Sequence, residues 1–143
     1  MKIYYPERII CLTEETTETF YLLGEQDRII GVSGFTVRPA IARKDKPKIS
    51  TFVDAKIDKI CDLKPDLVIG FSDIQGNIAK ELIEKGIPVW INNYRSVQGI
   101  KKMIFQLGVL VGRKQESLQL IQQINDQIDS IIKKVEKWEN QPK

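Results

Sequence analysis

Two kinds of block alternate along the chain: short β-branched or aliphatic runs, and longer stretches whose apolar residues recur every three or four positions. The runs at 8–12, 29–33, 67–71 and 89–92 predict strands, being too short and too uniformly apolar for amphipathic helices. Helical patterns fill the gaps. Thr13 is a candidate N-cap before an acidic first turn at Glu14 and Glu15, and the helix it opens buries Thr16, Phe20 and Leu23 before stopping at Gly24. Asp54 can cap a short helix that buries Ile57, Ile60 and Cys61 and ends at Lys64-Pro65, since proline disfavours a helical predecessor. Ile78, Leu82 and Ile83 share one face over 77–85, after which Gly86 ends the helix and Pro88 opens the fourth strand. Ser96 begins a densely apolar helix over 97–111, carrying Ile100, Met103, Ile104, Leu107, Leu110 and Val111 towards the sheet, and Gly112 breaks it.

Alternating strands and helices predict a parallel sheet with right-handed crossovers. The expected fold is a Rossmann-like α/β lobe with four or five strands, followed by a long C-terminal helix. Residues 34–48 interrupt the alternation with two prolines and no sustained period, and are expected to form a long functional loop or irregular excursion. The last helix, from 114 to about 139, would span on the order of 37 Å at the standard rise per residue. Its stripe of Leu118, Ile121, Ile124, Ile128, Ile131, Val135 and Trp138 needs cover along its whole length, from a partner, a second copy of the chain in a homodimer, or a second lobe.

Composition narrows the chemistry. The sequence holds no histidine in 143 residues, which removes imidazole ligands, histidine general bases and Ser/His or Cys/His nucleophiles. The two cysteines have neither C-x-x-C nor metal-ligand spacing, and both are expected to be buried core thiols. A net charge of +3 is too small and too evenly spread for a nucleic-acid surface. One basic cluster, Arg38, Arg43, Lys44, Lys46 and Lys48, borders the 34–48 loop. The N-terminal residues do not read as a signal peptide, and no apolar run approaches the length of a membrane span.

Candidate site residues gather where loops leave the strands. Ligands of parallel sheets collect outside the carboxyl ends of the strands. Phe35, Phe52 and Phe71 each follow a small or polar residue in such a place, and Tyr94 and Arg95, just after the fourth strand, reach the same rim. Arg38 and Arg95 can pair with anionic groups. Gly24, Gly31 and Gly34 are spaced too widely for a dinucleotide fingerprint, so these motifs point to binding and not to catalysis. A receiver-like signalling module that dimerises through its long helix is the alternative, with Asp73 as its phosphoacceptor. Asp58, opposite Ile57 and Ile60, reads as a surface charge or a docking contact.

Four stretches together resemble the substrate-binding proteins of ABC importers for vitamin B12 and ferric siderophores: RIICLTEETTETFYLLG, GVSGFTVRP, KIDKICDLKPDLVIGFSD and SVQGIKKMIFQLGVLVGR. The resemblance covers essentially the whole chain. It implies that residues 1–112 are the N-terminal ligand-binding lobe, that 113–143 are the interlobe helix and tail, and that a second lobe lies beyond this chain. It further implies non-enzymatic capture of a corrinoid or ferric siderophore, with no built-in cofactor and no protein-held metal, and delivery to an ABC permease. Phe35, Phe52 and Phe71 fall where the cobalamin-binding members carry aromatics facing the corrin, and Asp58 falls where the family places an acid that meets the permease. The location it implies is extracytoplasmic, periplasmic or membrane-associated, whereas the missing export signal is compatible with the cytoplasm.

Overall fold

The computed structural model of the chain describes residues 3–34, 36, 38–50, 56–72 and 75–139, apart from the side chains of Arg43 and Ser50. In chain order the elements are β1 (Ile9–Cys11), α1 (Glu14–Leu22), β2 (Ile29–Ser33), α2 (Ala40–Asp45), β3 (Lys48–Ser50), α3 (Ile57–Asp62), β4 (Leu67–Phe71), α4 (Gly76–Glu84), β5 (Val89–Asn92), α5 (Val97–Leu110) and α6 (Lys114–Glu139). All strand pairs are parallel, in the order β3-β2-β1-β4-β5. The expected α/β lobe with a long final helix is therefore the observed one, with five strands.

Residues 34–48 are the exception to the sequence reading. They contain a short helix, α2, entered from Pro39 at its N-cap, and they lead into the edge strand β3, whose Ile49 is fully buried.

Side chains alternate across the central strands because the strand repeat is two residues. Ile9, Cys11 and Ile69 join Phe20 of α1 and Met103 and Leu107 of α5 on one face. Ile10, Leu12 and Val68 join Ile60 of α3 and Ile78 and Leu82 of α4 on the other. Burial pushes the Cys11 thiol up to about 12, against smaller opposing effects of a hydrogen bond with Thr17 and the charge of Lys46. Cys61 departs from expectation. It is only half-buried, since α3 is short and lies at the surface. Ile83 and Ile100, placed in the core by periodicity, are 59% and 43% exposed. Each sits at the margin of its helix's apolar face.

Several glycines end elements as expected. Gly24, Gly86 and Gly112 take φ values of 74°, 83° and 75°, where L side chains are strained. At Gly112 the space is also closed, because a Cβ would lie 2.8 Å from the Tyr5 ring.

The root of α6 is fixed in two ways. Gly108 of α5 and Ser117 of α6 pack so closely that a Cβ on Gly108 would collide with the Ser117 side chain, which is fully buried. Glu25, just past α1, accepts hydrogen bonds from Arg113 Nε at 2.6 Å and Arg28 Nε at 2.7 Å, while Arg28 Nη1 donates to the Pro6 carbonyl at 2.7 Å. Beyond this clamp cover is lost: Ile131, Val135 and Trp138 are 60%, 43% and 72% exposed. Along the stripe Leu118 is itself 42% exposed, Ile121, Ile124 and Ile128 are half-buried, and the turns near its end are bare, within the described residues.

Candidate functional site

Strand order reverses between β1 and β4, and the crevice at the carboxyl ends of those strands is where a sheet of this topology offers a site. Two side chains that sequence reasoning did not single out build that edge. Gln75, fully buried, accepts from the Phe71 N–H at 2.7 Å through Oε1 and donates from Nε2 to the Leu12 carbonyl at 3.2 Å. It thereby ties the loop after β1 to the end of β4. Gly70 leaves room for this amide, since a Cβ there would lie 2.8 Å from Gln75 Oε1. Asn92, 5% exposed at the end of β5, donates from Nδ2 to the Gly70 carbonyl at 3.3 Å, and its own carbonyl accepts from the Ser72 N–H at 2.8 Å. Ser72 takes φ 61°, turning the chain sharply away from the strand.

Above these strand ends lies a cavity of about 200 Å³, lined by Thr13, Glu15, Phe71, Asn92, Tyr94, Arg95, Ile100 and Met103. The Arg95 guanidinium stands 5.7 Å from the centroid of the Phe71 ring, within cation–π range, and Arg95 Nε donates to Asn93 Oδ1 at 3.1 Å. Tyr94 is held by packing against Gly99, where a Cβ would come within 2.7 Å of its own Cβ, and its hydroxyl donates to Gln106 Oε1 at 3.1 Å. Ser96 caps α5 by accepting from the Gly99 N–H at 2.9 Å, which fixes the loop bearing Tyr94 and Arg95.

Three of the predicted rim residues, Phe71, Tyr94 and Arg95, therefore meet on one wall. Arg38 is exposed, after β2, and is not among the described residues lining the cavity. Phe35, Phe52 and Asp73 lie outside the described residues. Asp58 stands exposed in the first turn of α3. Ile100 and Met103 were legible only as core, and Thr13 only as a cap. The signal for Asn92 was a polar residue closing an apolar strand; Gln75 carried no local signal, because the Phe71 N–H and Leu12 carbonyl that it meets are backbone groups.

Residues 9–143 match the family described as periplasmic binding protein. The chain belongs to that family. Among curated relatives, a vitamin B12-binding protein of Vibrio campbellii is 39% identical over 104 residues, covering 71% of this chain and 37% of the relative. An uncharacterised ABC transporter substrate-binding lipoprotein of Bacillus subtilis is 28% identical over 133 residues, covering 90% of this chain and 42% of the relative. A solved structure of a possible iron-binding, periplasmic solute-binding protein from Staphylococcus epidermidis superposes with a TM-score of 0.83 at 26% identity, covering 92% of this chain and 52% of that one. The chain spans less than half the length of these two curated relatives. Periplasmic binding protein membership gives no support to the receiver-like alternative. Among the described residues, no helix is long and apolar enough to cross a membrane.

Proposed function

We propose that this chain is the N-terminal, ligand-capturing part of an ABC-importer substrate-binding protein for a bulky metal chelate, a corrinoid or a ferric siderophore. Residues 1–112 act as the binding lobe and 113–143 as the interlobe-type helix, and a second lobe provides the facing wall of the cleft. The observation that carries this reading is the Arg95–Phe71 stack on the wall of a cavity at the sheet's switch point. An aromatic face with an adjacent cation suits a large, partly apolar, partly anionic ligand. The chelate, not protein side chains, holds the metal, and the role is capture and delivery without catalysis. The family resemblance assigns Phe35 and Phe52 to the ligand as well, and Arg38, exposed after β2, is a further candidate cation for it. Asp58 offers its carboxylate to a permease from the exposed turn of α3, and the setting of such a protein is extracytoplasmic.

Titration of the chain with cobinamide, cobalamin and several ferric chelates, followed by quenching of tryptophan fluorescence, tests the reading. Binding by at least one of them, weakened in Phe71→Ala and Arg95→Ala, is the expected result. A corrinoid should depend mainly on Phe71, whereas an anionic siderophore should depend on Arg95 and weaken with salt. Affinity should be modest, because a cleft ligand normally has both faces covered. No response to any of these chelates would overturn the proposal.

A further inference from the structure

The net charge of +3 is not shared evenly over the molecule. Residues 38–59 hold seven basic and three acidic residues, a balance of +4, so the remaining positions together carry −1.

Folding gathers these cations on one edge of the sheet. β3 is an edge strand, with α2 leading into it and α3 following it. Arg38, Lys44, Lys48, Lys56 and Lys59 are exposed, and Lys46 is half-buried. Lys59 Nζ donates to the Lys48 carbonyl at 3.2 Å, which joins the charges of α3 to those of β3. Asp45, Asp58 and, at the end of α3, Asp62 are the described acids of these elements, and they leave an excess of positive charge. Ile41, three positions before Lys44 and so on the same side of α2, is 54% exposed.

Such a surface suits an extended anionic layer better than a single anionic group. Its cations are spread over three elements, whereas the rim cavity and the grooves along α5 and α6 are lined by other residues. Each cation held near an anionic leaflet strengthens binding about fivefold. An aliphatic side chain set among the cations can enter the headgroup layer while their charged ends stay with the phosphates. An acidic protein would need a hollow shaped to Ile41 and carboxylates placed to match; a fluid leaflet needs neither.

We propose that the β3 edge, with α2 and α3, is a membrane-facing surface that rests on anionic phospholipid headgroups. The proposal takes its setting from the importer reading, in which a binding protein works beside a bilayer, and goes beyond it in assigning the lipid contact to this edge. Asp58 belongs to the same edge, between Lys56 and Lys59 in sequence, so the face offered to a permease and the face offered to the lipid around it coincide.

Sedimentation of the chain with vesicles of phosphatidylcholine alone, and of an equal mixture with phosphatidylglycerol, tests the assignment. Binding should appear only on the mixed vesicles and should fall as salt is raised. Lys44→Gln combined with Lys56→Gln, at two exposed positions away from the rim cavity, should lower partitioning onto the mixed vesicles by about 10- to 30-fold. Chelate affinity should not change. Lys133→Gln combined with Lys137→Gln, on the bare end of α6, removes the same charge and should leave partitioning nearly unchanged. Equal losses from the two pairs would mean that net charge or the bare helix brings the chain to the vesicle, and would overturn the proposal. Indifference to phosphatidylglycerol would do the same, as would binding to soluble polyglutamate with none to vesicles, which would make the edge a protein dock. Chelate binding without vesicle binding sinks this proposal alone. Vesicle binding that follows Lys44 and Lys56, with every chelate failing, upholds the lipid contact and removes the importer reading.

Discussion

The carboxylate of Glu25 and the guanidinium of Arg113 meet at 2.6 Å across 88 positions of sequence, fastening the start of α6 to the end of α1. Burial pushes the Glu25 carboxyl up, but its hydrogen bonds and charge attraction with Arg113 and Arg28 outweigh that and hold it below its ordinary 4.5. A carboxyl that binds its proton less tightly folded than unfolded stabilises the fold above its ordinary range and loses that contribution as the pH falls through its folded value. Glu25→Gln should therefore be less stable than the wild type at pH 7, by about 1–2 kcal/mol. The gap should close progressively on acidification below about pH 5. Urea unfolding at several pH values measures it, and a gap that stays constant with pH would count against the clamp.

Gln75 bridges two backbone groups at the switch point, the Phe71 N–H and the Leu12 carbonyl. Gln75→Leu keeps the volume but strands the Phe71 N–H and the Leu12 carbonyl, at a cost of about 2–4 kcal/mol. Denaturant midpoints give the stability loss. A change under 1 kcal/mol would show that water replaces the amide without penalty.

Gly108→Ala forces α5 and α6 apart where Ser117 is buried, and overpacking of this kind costs about 1–3 kcal/mol. Ser117→Gly in the same chain returns the lost space, so the double variant should be less destabilised than the sum of the two single changes. Thermal unfolding of the four proteins completes the cycle, and strict additivity would separate the two residues energetically.

The two cysteines should differ in reactivity. Cys11 is fully buried with its thiol pushed up to about 12, whereas Cys61 is half-buried on α3. At pH 8 a disulfide reagent such as DTNB should titrate Cys61 in the native chain and reach Cys11 only after unfolding. Two equally fast thiols in the native state would contradict the placement of β1 at the centre of the core.

Much of this fold was legible in the sequence because β1, β2, β4 and β5 are dense apolar runs bounded by caps and turn residues. The elements that were not legible lack that signal. β3 has a single apolar residue, Ile49, between Lys48 and Ser50, and it becomes a strand only because β2 offers it an open edge. α2 is six residues long and buries Ala42, too little for a helical period to show. The rim followed the same division. Phe71, Tyr94 and Arg95 were visible as aromatic and cationic residues at strand ends, whereas Gln75 and Asn92 owe their roles to carbonyls brought near by folding, 63 and 22 positions away.

The double fastening at the base of α6 also decides where bending can occur. With Ser117 wedged against Gly108 and Arg113 pinned to Glu25, the turn at Gly112 is no hinge, despite its glycine. The helix behaves as a mast stepped into the lobe. Thermal sway grows with distance from that step, so whatever leans on the bare turns near Trp138 inherits the lobe's heading and only a small, spring-like latitude about it.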